Sequence, residues 1–363
     1  MSIAWTIIAF IIMISLLVIV HEFGHFVVAR ANGIYVKEFA VGMGPKLVGF
    51  KRKGTDIVLR ALPFGGACIF DDDDPFEDEE DKAVEEENEL EESKEKYGGK
   101  FSDAPLAARI ATVLAGPFFN ILLGFVLAMV VVGICGENNT EIGGVTPDFP
   151  AAEAGLQAGD KIISINGERI YLFTEISLLT MTSRTDEWTV KFERDGEIHT
   201  VDVTLATEGG GRYLGVYSAD KINCANFRIF EYSFYEVRYW LKATFKSLGM
   251  LFTGRLTKDD VSGPVGVAQV IGTTIQETKA YGFLTVFVNL ADLAMLLSVN
   301  LAIMNMIPFP ALDGGRFVFL LAELIFRKKV PRKFEAVVTL VGFGALMLLM
   351  VFVLFNDVSR FFR

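Results

Sequence analysis

A chain of 363 residues, 52% of them hydrophobic and with a mean hydropathy of +0.40, is predicted to be a membrane protein that carries a soluble insert. The net charge of −11 comes from residues 71–96, where sixteen acidic residues accompany three basic ones, so the remaining chain sums to +2. That balance leaves no basic surface for nucleic acid. The three cysteines, Cys68, Cys135 and Cys224, show neither a pairing pattern nor metal-ligand spacing and are expected to be free.

The first apolar run, about residues 3–26, contains the motif His21-Glu22-Phe23-Gly24-His25. No basic region precedes the run, and cleavage near Ala29 or Ala31 would remove the motif, so we predict a retained span rather than a signal peptide. On a helix the two histidines, four residues apart, project from one face and can share one zinc ion, with Glu22 beside them as a base. The structural alternative is a pair of histidines satisfied by neighbouring helices.

A β-hairpin is predicted after this span. Lys46–Lys51 and Ile57–Leu62 are its strands, Lys53-Gly54-Thr55-Asp56 is its turn, and Pro63-Phe64-Gly65-Gly66 closes it. The hairpin is either a packed lid or an open edge to which an unwound substrate segment adds as a strand. The acidic run that follows is predicted to be disordered or a solvated surface helix, with a regulatory or partner-binding role as the alternative.

After a second apolar span, about residues 107–134, residues 142–217 are predicted to form a small mixed domain with a short helix near Thr174–Thr182. Two strands of this domain are predicted to pair across an Asp195-Gly196 turn: 188–193 and 197–205. His199, on the second strand, is expected to be a surface or half-buried residue and not a metal ligand.

The segment from Phe227 to Leu256 mixes aromatic with basic residues. A helix here would have an apolar face and basic flanks, which suits either the bilayer interface or packing on the mixed domain. Two further apolar spans follow, about residues 283–306 and 335–355, so four spans are predicted in all.

Zinc held by two histidines needs at least a third protein ligand. Asp313 is the best candidate, because Pro308 and Pro310 break the end of the third span before it and two glycines after it allow close backbone approach. Broken backbone at membrane depth is tolerated where it lines a cavity. The competitors are Asp292, which sits mid-span, and Glu323, ten residues later.

Charge predicts the orientation of the spans. Residues 28–60 carry seven Lys or Arg against two acids and residues 307–334 carry six against two, so both loops are expected to be cytoplasmic. The region from about 136 to 280 is then extracytoplasmic. Eighteen residues from Ile3 to His21 rise about 27 Å, which puts the histidine motif within a turn or two of the cytoplasmic face.

With the motif and Asp313 in place, the chain resembles the site-2 protease family of intramembrane zinc metalloproteases, in the bacterial branch that includes RseP and RasP. The matching segments are His21-Glu-Phe-Gly-His25, Leu62-Pro-Phe-Gly-Gly66, Arg109 with Ala115-Gly116-Pro117-x-x-Asn120, Ser262-Gly-Pro264-x-Gly266, Asn305-x-x-Pro308-x-Pro310-x-Leu312-Asp313-Gly314-Gly315, and residues 142–217, which are similar to a PDZ domain. The chain departs from RseP in having one PDZ domain instead of two and an acidic insert.

The resemblance implies that His21, His25 and Asp313 bind zinc and that Glu22 is the general base. Residues that would help to hold an unwound substrate are Asn305, Pro308 and Pro310, together with Gly65 and Gly66 of the β-loop. The implied activity is hydrolysis of peptide bonds in transmembrane segments of pre-trimmed single-span proteins, such as an anti-sigma factor or a remnant signal peptide. The alternatives are a membrane metal carrier and a catalytically silent PDZ scaffold.

The predicted fold is a polytopic α-helical membrane protein with four transmembrane helices, a membrane-reentrant β-loop and one extracytoplasmic PDZ-like α+β domain. We expect it in the bacterial inner (plasma) membrane. The predicted divisions are the first span with the β-loop (1–70), the acidic insert (71–104), the second span (105–135), the PDZ-like domain (140–220), an amphipathic interfacial region (225–280), the third span with the Asp313 segment (281–327) and the fourth span (335–356).

Overall fold

The computed structural model describes residues 3–70, 98–209, 211–224, 226–255 and 262–360. The predicted acidic run 71–96 lies outside the described residues. Two compact units divide the chain: Met1–Gly124 with Lys258–Arg363, and Phe125–Thr257.

The described residues form nine α-helices and ten β-strands, and their peptide bonds are all trans. The helices are α1 (Ile3–Ala31), α2 (Leu106–Cys135), α3 (Pro150–Glu153), α4 (Thr174–Thr182), α5 (Arg228–Phe252), α6 (Pro264–Thr278), α7 (Phe283–Asn305), α8 (Asp313–Phe326) and α9 (Arg332–Arg360), with 3-10 turns at Phe101–Asp103 and Lys279–Tyr281. The strands are β1 (Val36–Arg52), β2 (Thr55–Phe70), β3 (Ile142–Val145), β4 (Lys161–Ile165), β5 (Glu168–Arg169), β6 (Glu187–Arg194), β7 (Glu197–Thr204), β8 (Ala206–Glu208), β9 (Gly211–Tyr213) and β10 (Val216–Ser218).

Four of the described helices, α1, α2, α7 and α9, are long and apolar enough to cross a membrane, as the sequence predicts. The first is longer than its predicted end at Phe26, because a glycine-terminated cap stops it only after Ala31. Gly33 has a φ of 71°, its N–H donates to Arg30 O, and the N–H of Ile34 donates to Ala29 O. The histidine motif therefore lies inside the helix, about two turns before its end.

The predicted hairpin is present, with Lys51 opposite Asp56 and Arg52 opposite Thr55. Its strands are longer than predicted, and the Pro63-Phe64-Gly65-Gly66 segment, expected to close it, lies inside β2. Residues 38–41 of β1 pair with residues 56–59 on one side and with residues 66–69 on the other. Local turn residues could not show this second pairing, because it depends on contacts distant in sequence.

Within the described residues, the last part of β2, residues 66–70, has a ladder partner on one side only, so it is an edge strand. The opposite end of the hairpin is exposed and apolar. Leu47, Val48 and Phe50 are 62%, 67% and 60% exposed.

The second unit has a four-stranded sheet in the order β5-β4-β6-β7 and the two-stranded pairs β10-β3 and β8-β9. Helix α4 has the predicted bounds, and β6 pairs with β7 across the predicted Asp195-Gly196 turn. Trp188, Val190 and Phe192 of β6 are buried at the centre of its core. His199 lies on β7 against the ring of Phe192 and not in a cluster of metal-ligating residues.

A buried carboxylate joins α4 to α5 inside this unit. Glu175 is fully buried and accepts hydrogen bonds from Lys242 at 2.6 Å and from Arg238 at 3.0 Å. Burial acts to raise the pKa of Glu175, but these cations and the Tyr171 N–H together lower it. None of the three cysteines, all of which lie in the described part of the chain, forms a disulfide, as predicted.

Candidate metal centre

The structure brings together the three predicted ligands, although the third follows the first two by almost three hundred residues. Nε2 of His21 lies 3.0 Å and Nε2 of His25 3.3 Å from Oδ2 of Asp313, and the two Nε2 atoms are 3.3 Å apart. Ligands about 2.0–2.1 Å from a tetrahedral zinc ion lie roughly 3.3 Å from one another. The three atoms therefore fit one zinc ion without rearrangement.

The surroundings of these ligands also suit a metal. His21 and His25 are 6% and 8% exposed, and Oδ2 of Asp313 is buried without a hydrogen-bond partner. A buried carboxylate oxygen without a hydrogen-bond partner is suited to binding a cation.

Helix α2 orients both histidine rings. Nδ1 of His25 lies 2.8 Å from the carbonyl oxygen of Thr112. If the Nδ1–H donates to this oxygen, Nε2 carries a lone pair that can bind a metal. The Asn120 side-chain amide lies 3.3 Å from Nδ1 of His21, while its Oδ1 has no partner. Turning that amide so that Oδ1 accepts the Nδ1 proton satisfies both groups and frees Nε2 of His21.

Two glycines allow α1 and α2 to approach this closely. A Cβ on Gly116 would lie 2.3 Å from Nε2 of His25, and a Cβ on Gly24 would lie 2.5 Å from Ala115 O. Both contacts are shorter than real Cβ atoms make. Glycine is therefore required at each position by the ligand geometry and by the helix contact.

A broken helix supplies Asp313. Helix α7 ends at Asn305, α8 begins at Asp313, and the turn between them contains Ala311 with a φ of 79°. A Cβ on Gly314 would lie 2.2 Å from Ile307 O, so the glycine lets α8 fold back against that turn. Asp313 thus lies in the first turn of α8, where the helix dipole favours a carboxylate.

Glu22 and Asp313 both line a cavity of about 710 Å³. The cavity is also lined by the edge strand of β2, from Gly66 to Ile69, and by Leu312. A Cβ on Gly66 would lie 3.1 Å from Cγ of Glu22, so the strand passes close to this carboxylate. The arrangement places a carboxylate, the cluster of candidate ligands and the edge strand of β2 around one space.

Other predicted residues divide into two groups. Asn305 joins the centre, with Nδ2 3.1 Å from Nε2 of His21. Pro308, Pro310 and Gly65 do not border the cavity. Gly65 has a φ of 81° and lies against Met43, and Pro310 lies against Gly342 of α9.

The two competitors for the third ligand lie elsewhere. Glu323 forms a bidentate pair with Arg109, at 2.6 and 2.9 Å, which lowers its pKa. Asp292 is in the middle of α7 and outside the ligand cluster. Asp313 is therefore the carboxylate that completes the centre within the described residues.

Sequence reasoning assigned no role to Thr112, Asn120 and Gly116. The only signal was that the segment containing Gly116 and Asn120 matches a family motif on the second span. A backbone carbonyl such as that of Thr112 gives no signal in a sequence at all.

Residues 9–349 match the model of Peptidase family M50. Among its relatives, the zinc metalloprotease RasP of Geobacillus kaustophilus is 32% identical, with 98% of each chain covered. A putative zinc metalloprotease of Clostridium perfringens is 34% identical, with 95% of this chain and 96% of that one covered. The regulator of sigma-W protease RasP of Bacillus subtilis is 32% identical, with 98% and 99% covered.

The PDZ domain of an SdrC-like protein from Listeria monocytogenes is similar to part of the chain, at 22% identity. It covers 23% of this chain and 90% of that one, with a TM-score of 0.21. A TM-score this low does not assign a fold, so the PDZ-like domain stays a prediction.

The family match extends over nearly the whole chain. The relatives, which are named as proteases, align with this chain over nearly their whole length. This goes against the alternatives of a metal carrier and a silent scaffold. The chain belongs to peptidase family M50, the site-2 protease family, and is a zinc metalloendopeptidase of the membrane.

Proposed function

We propose that this protease cuts peptide bonds within the transmembrane segments of single-span proteins that have already been trimmed, near the cytoplasmic face of the bacterial plasma membrane. His21, His25 and Asp313 are its zinc ligands and Glu22 is its general base. The observation that carries the proposal is the ligand triangle, with sides of 3.0 to 3.3 Å, beside the cavity that Glu22 borders.

A bound zinc ion would polarise a peptide carbonyl and lower the pKa of water to near 7. Glu22 takes the proton of the attacking water and returns it to the nitrogen of the leaving amine. The Thr112 carbonyl and the Asn120 amide hold the two histidine rings throughout, because they bond to the nitrogens that face away from the ligand triangle.

The substrate has to be extended before its peptide bonds can be reached, because a helix shields them with its own hydrogen bonds. The edge strand formed by residues 66–70 of β2, which has a ladder partner on one side among the described residues, supports binding of an unwound segment as an added strand. Gly66 sits where that strand passes Glu22, so the added segment would run across the carboxylate. Asn305, whose side-chain amide lies beside His21, would limit the site on the other side.

Membrane placement rests on three features. The chain has four candidate spans, its basic loops predict a cytoplasmic end for the ligand triangle, and the exposed Leu47, Val48 and Phe50 suit a hairpin that re-enters the bilayer. Residues 140–220 would form an extracytoplasmic PDZ-like domain that excludes untrimmed proteins. One relative's printed name, regulator of sigma-W protease, favours a membrane-anchored anti-sigma factor as substrate.

The test is Glu22→Gln in the full-length protein, co-expressed with a trimmed single-span substrate. We expect cleavage to fall by at least about 1000-fold while bound zinc stays at the wild-type level, because Glu22 moves protons and does not bind the metal. Glu153→Gln, an exposed carboxylate on α3, is the matched control and should cut normally. Wild-type turnover in Glu22→Gln would remove Glu22 from the mechanism.

A further inference from the structure

The second unit has a cavity of about 380 Å³ lined by Arg184, Arg212, Arg255 and Thr253. None of these residues belongs to the metal centre. Three guanidinium groups around one small space repel each other unless something holds and neutralises them.

The end of α4 holds two of the three guanidinium groups. Arg255 donates to the carbonyl oxygens of Thr182 and Ser183, both at 3.1 Å, and Arg212 donates to Ser183 O at 2.7 Å. The last carbonyls of a helix lack partners within it and carry partial negative charge. These bonds fix the two groups in place before any ligand arrives.

Neutralisation is incomplete. Arg212 pairs with Asp186 at 2.5 Å, whereas Arg184 is exposed and has no partner among the described residues. Three guanidinium groups and one carboxylate leave a net charge of +2 in the pocket. Guanidinium groups bind phosphate through paired N–H donors, so the pocket is suited to a phosphate-bearing anion.

A stripe of phenylalanines leads to this pocket along α5. At 100° per residue, all of its members fall within an arc of about 60° of the helix. They are Phe227, Phe230, Phe234, Phe245 and Phe252, all of them exposed. Phe227 is 88% and Phe252 80% exposed, so the stripe is uncovered at both ends.

Two cations of α5 bond to acidic residues of the domain. Lys242 bonds to Glu168 at 2.7 Å as well as to Glu175, and Lys246 bonds to Glu168 at 3.2 Å. These ion pairs fix which face of α5 meets the domain. The aromatic face is left for a separate, apolar neighbour.

That neighbour is the bilayer, because α5 starts at the end of a membrane span. A Cβ on Gly133, two residues before the end of α2 at Cys135, would lie 2.9 Å from Cδ1 of Ile229 in the first turn of α5. A helix that lies in the interface with its aromatic face down puts polar groups at its end at headgroup level. Thr253 and Arg255 follow directly after the last phenylalanine.

We propose that Arg184, Arg212 and Arg255 bind the phosphate of an anionic phospholipid headgroup. The site would fix the second unit at the membrane surface, and it does not depend on proteolysis or on zinc. Basic groups at this depth gain from the negative surface potential of anionic lipids.

The test uses the full-length protein in neutral detergent micelles, titrated with dihexanoyl phosphatidylglycerol and, separately, with dihexanoyl phosphatidylcholine. We expect tighter binding of the glycerol lipid and about tenfold weaker binding of it by Arg184→Gln, since one charge-assisted contact is lost. Arg184 is the residue to change, because it makes no contact that the fold needs. Lys191→Gln, an exposed cation on β6, removes the same charge elsewhere and should bind as the wild type does.

Three results would overturn the proposal. The first is equal affinity for the two lipids, and the second is an equal loss in Lys191→Gln, which would make the effect one of net charge. The third is that inorganic phosphate, or a peptide with a free but not an amidated carboxyl terminus, displaces the glycerol lipid at equal or lower concentration. Either competitor would identify the pocket as a site for a different ligand.

Discussion

Gly116→Ala is the smallest change that should disable the metal centre. The added Cβ would lie 2.3 Å from Nε2 and 2.7 Å from Cε1 of His25, and 2.8 Å from Cε1 of His21. An ordinary contact is about 3.4 Å or more, so the ring of His25 has to move by about 1 Å. Ligand distances in zinc sites hold to about 0.2 Å, so such a move removes or badly strains one ligand bond.

The expected loss of zinc affinity follows from that displacement. Changing a residue that only supports a ligand costs 10–100-fold in affinity, so displacing a ligand itself should cost at least about 100-fold, or about 2.8 kcal/mol. The same substitution improves helix propensity by about 1 kcal/mol. A folded protein with poor zinc retention is therefore expected, rather than an unfolded one.

The assay is zinc content of the purified full-length protein during titration with a chelator, alongside thermal unfolding of the metal-free form. Gly344→Ala on α9 is the control, because no atom lies within 4 Å of its added Cβ. It should keep wild-type zinc affinity. If Gly116→Ala also kept wild-type affinity, the helix packing that places His25 against Gly116 would be wrong.

Three further substitutions test other parts of the structure. Arg109→Met leaves the half-buried Glu323 without its partner and should lower the free energy of unfolding by about 1.5–3 kcal/mol in thermal melts, with most of the loss recovered when Glu323→Leu is added. Because the pKa of Glu175 is lowered in the fold, its carboxylate stabilises the fold fully above the unfolded pKa near 4.3, and this stabilisation is lost as the pH falls from there through the lower folded pKa. Melts from pH 7 to about pH 2.5 should therefore show a smaller acid destabilisation in Glu175→Gln. Gly66→Val should crowd Glu22 and slow cleavage at least about tenfold with zinc content unchanged; an unaltered cleavage rate would separate the edge strand from the reaction.

The sequence predicted the three residues that we propose as metal ligands because each left a local signal. Two histidines four residues apart share a helix face whatever surrounds them, and Asp313 stands out because prolines and glycines interrupt an apolar span. Gly116 left no such signal. A glycine in the sequence of an apolar helix does not show which neighbouring atom occupies the position that its Cβ would take.

The sheet shows the same limit. The Lys53-Gly54 turn fixed the hairpin locally, since both residues have positive φ angles that a two-residue turn requires. The pairing of residues 38–41 with residues 66–69 closes a loop of some twenty-five residues and depends on distant contacts. That pairing turns the end of β2 into an edge strand beside Glu22, so the element that we propose binds substrate was the least predictable.

The three helical segments around the ligands make different contributions to one buried cluster. Helix α1 supplies His21 and His25, and the start of α8 supplies Asp313, each of which would be costly in an apolar medium by itself. Helix α2 supplies no ligand, yet the Thr112 carbonyl and the Gly116 backbone determine which nitrogen of His25 is free and how close the helices come. The specificity of the centre for a metal therefore depends as much on backbone atoms and a missing side chain as on the ligands themselves. A motif that is intact on α1 would not make a zinc site against a second helix that lacked them.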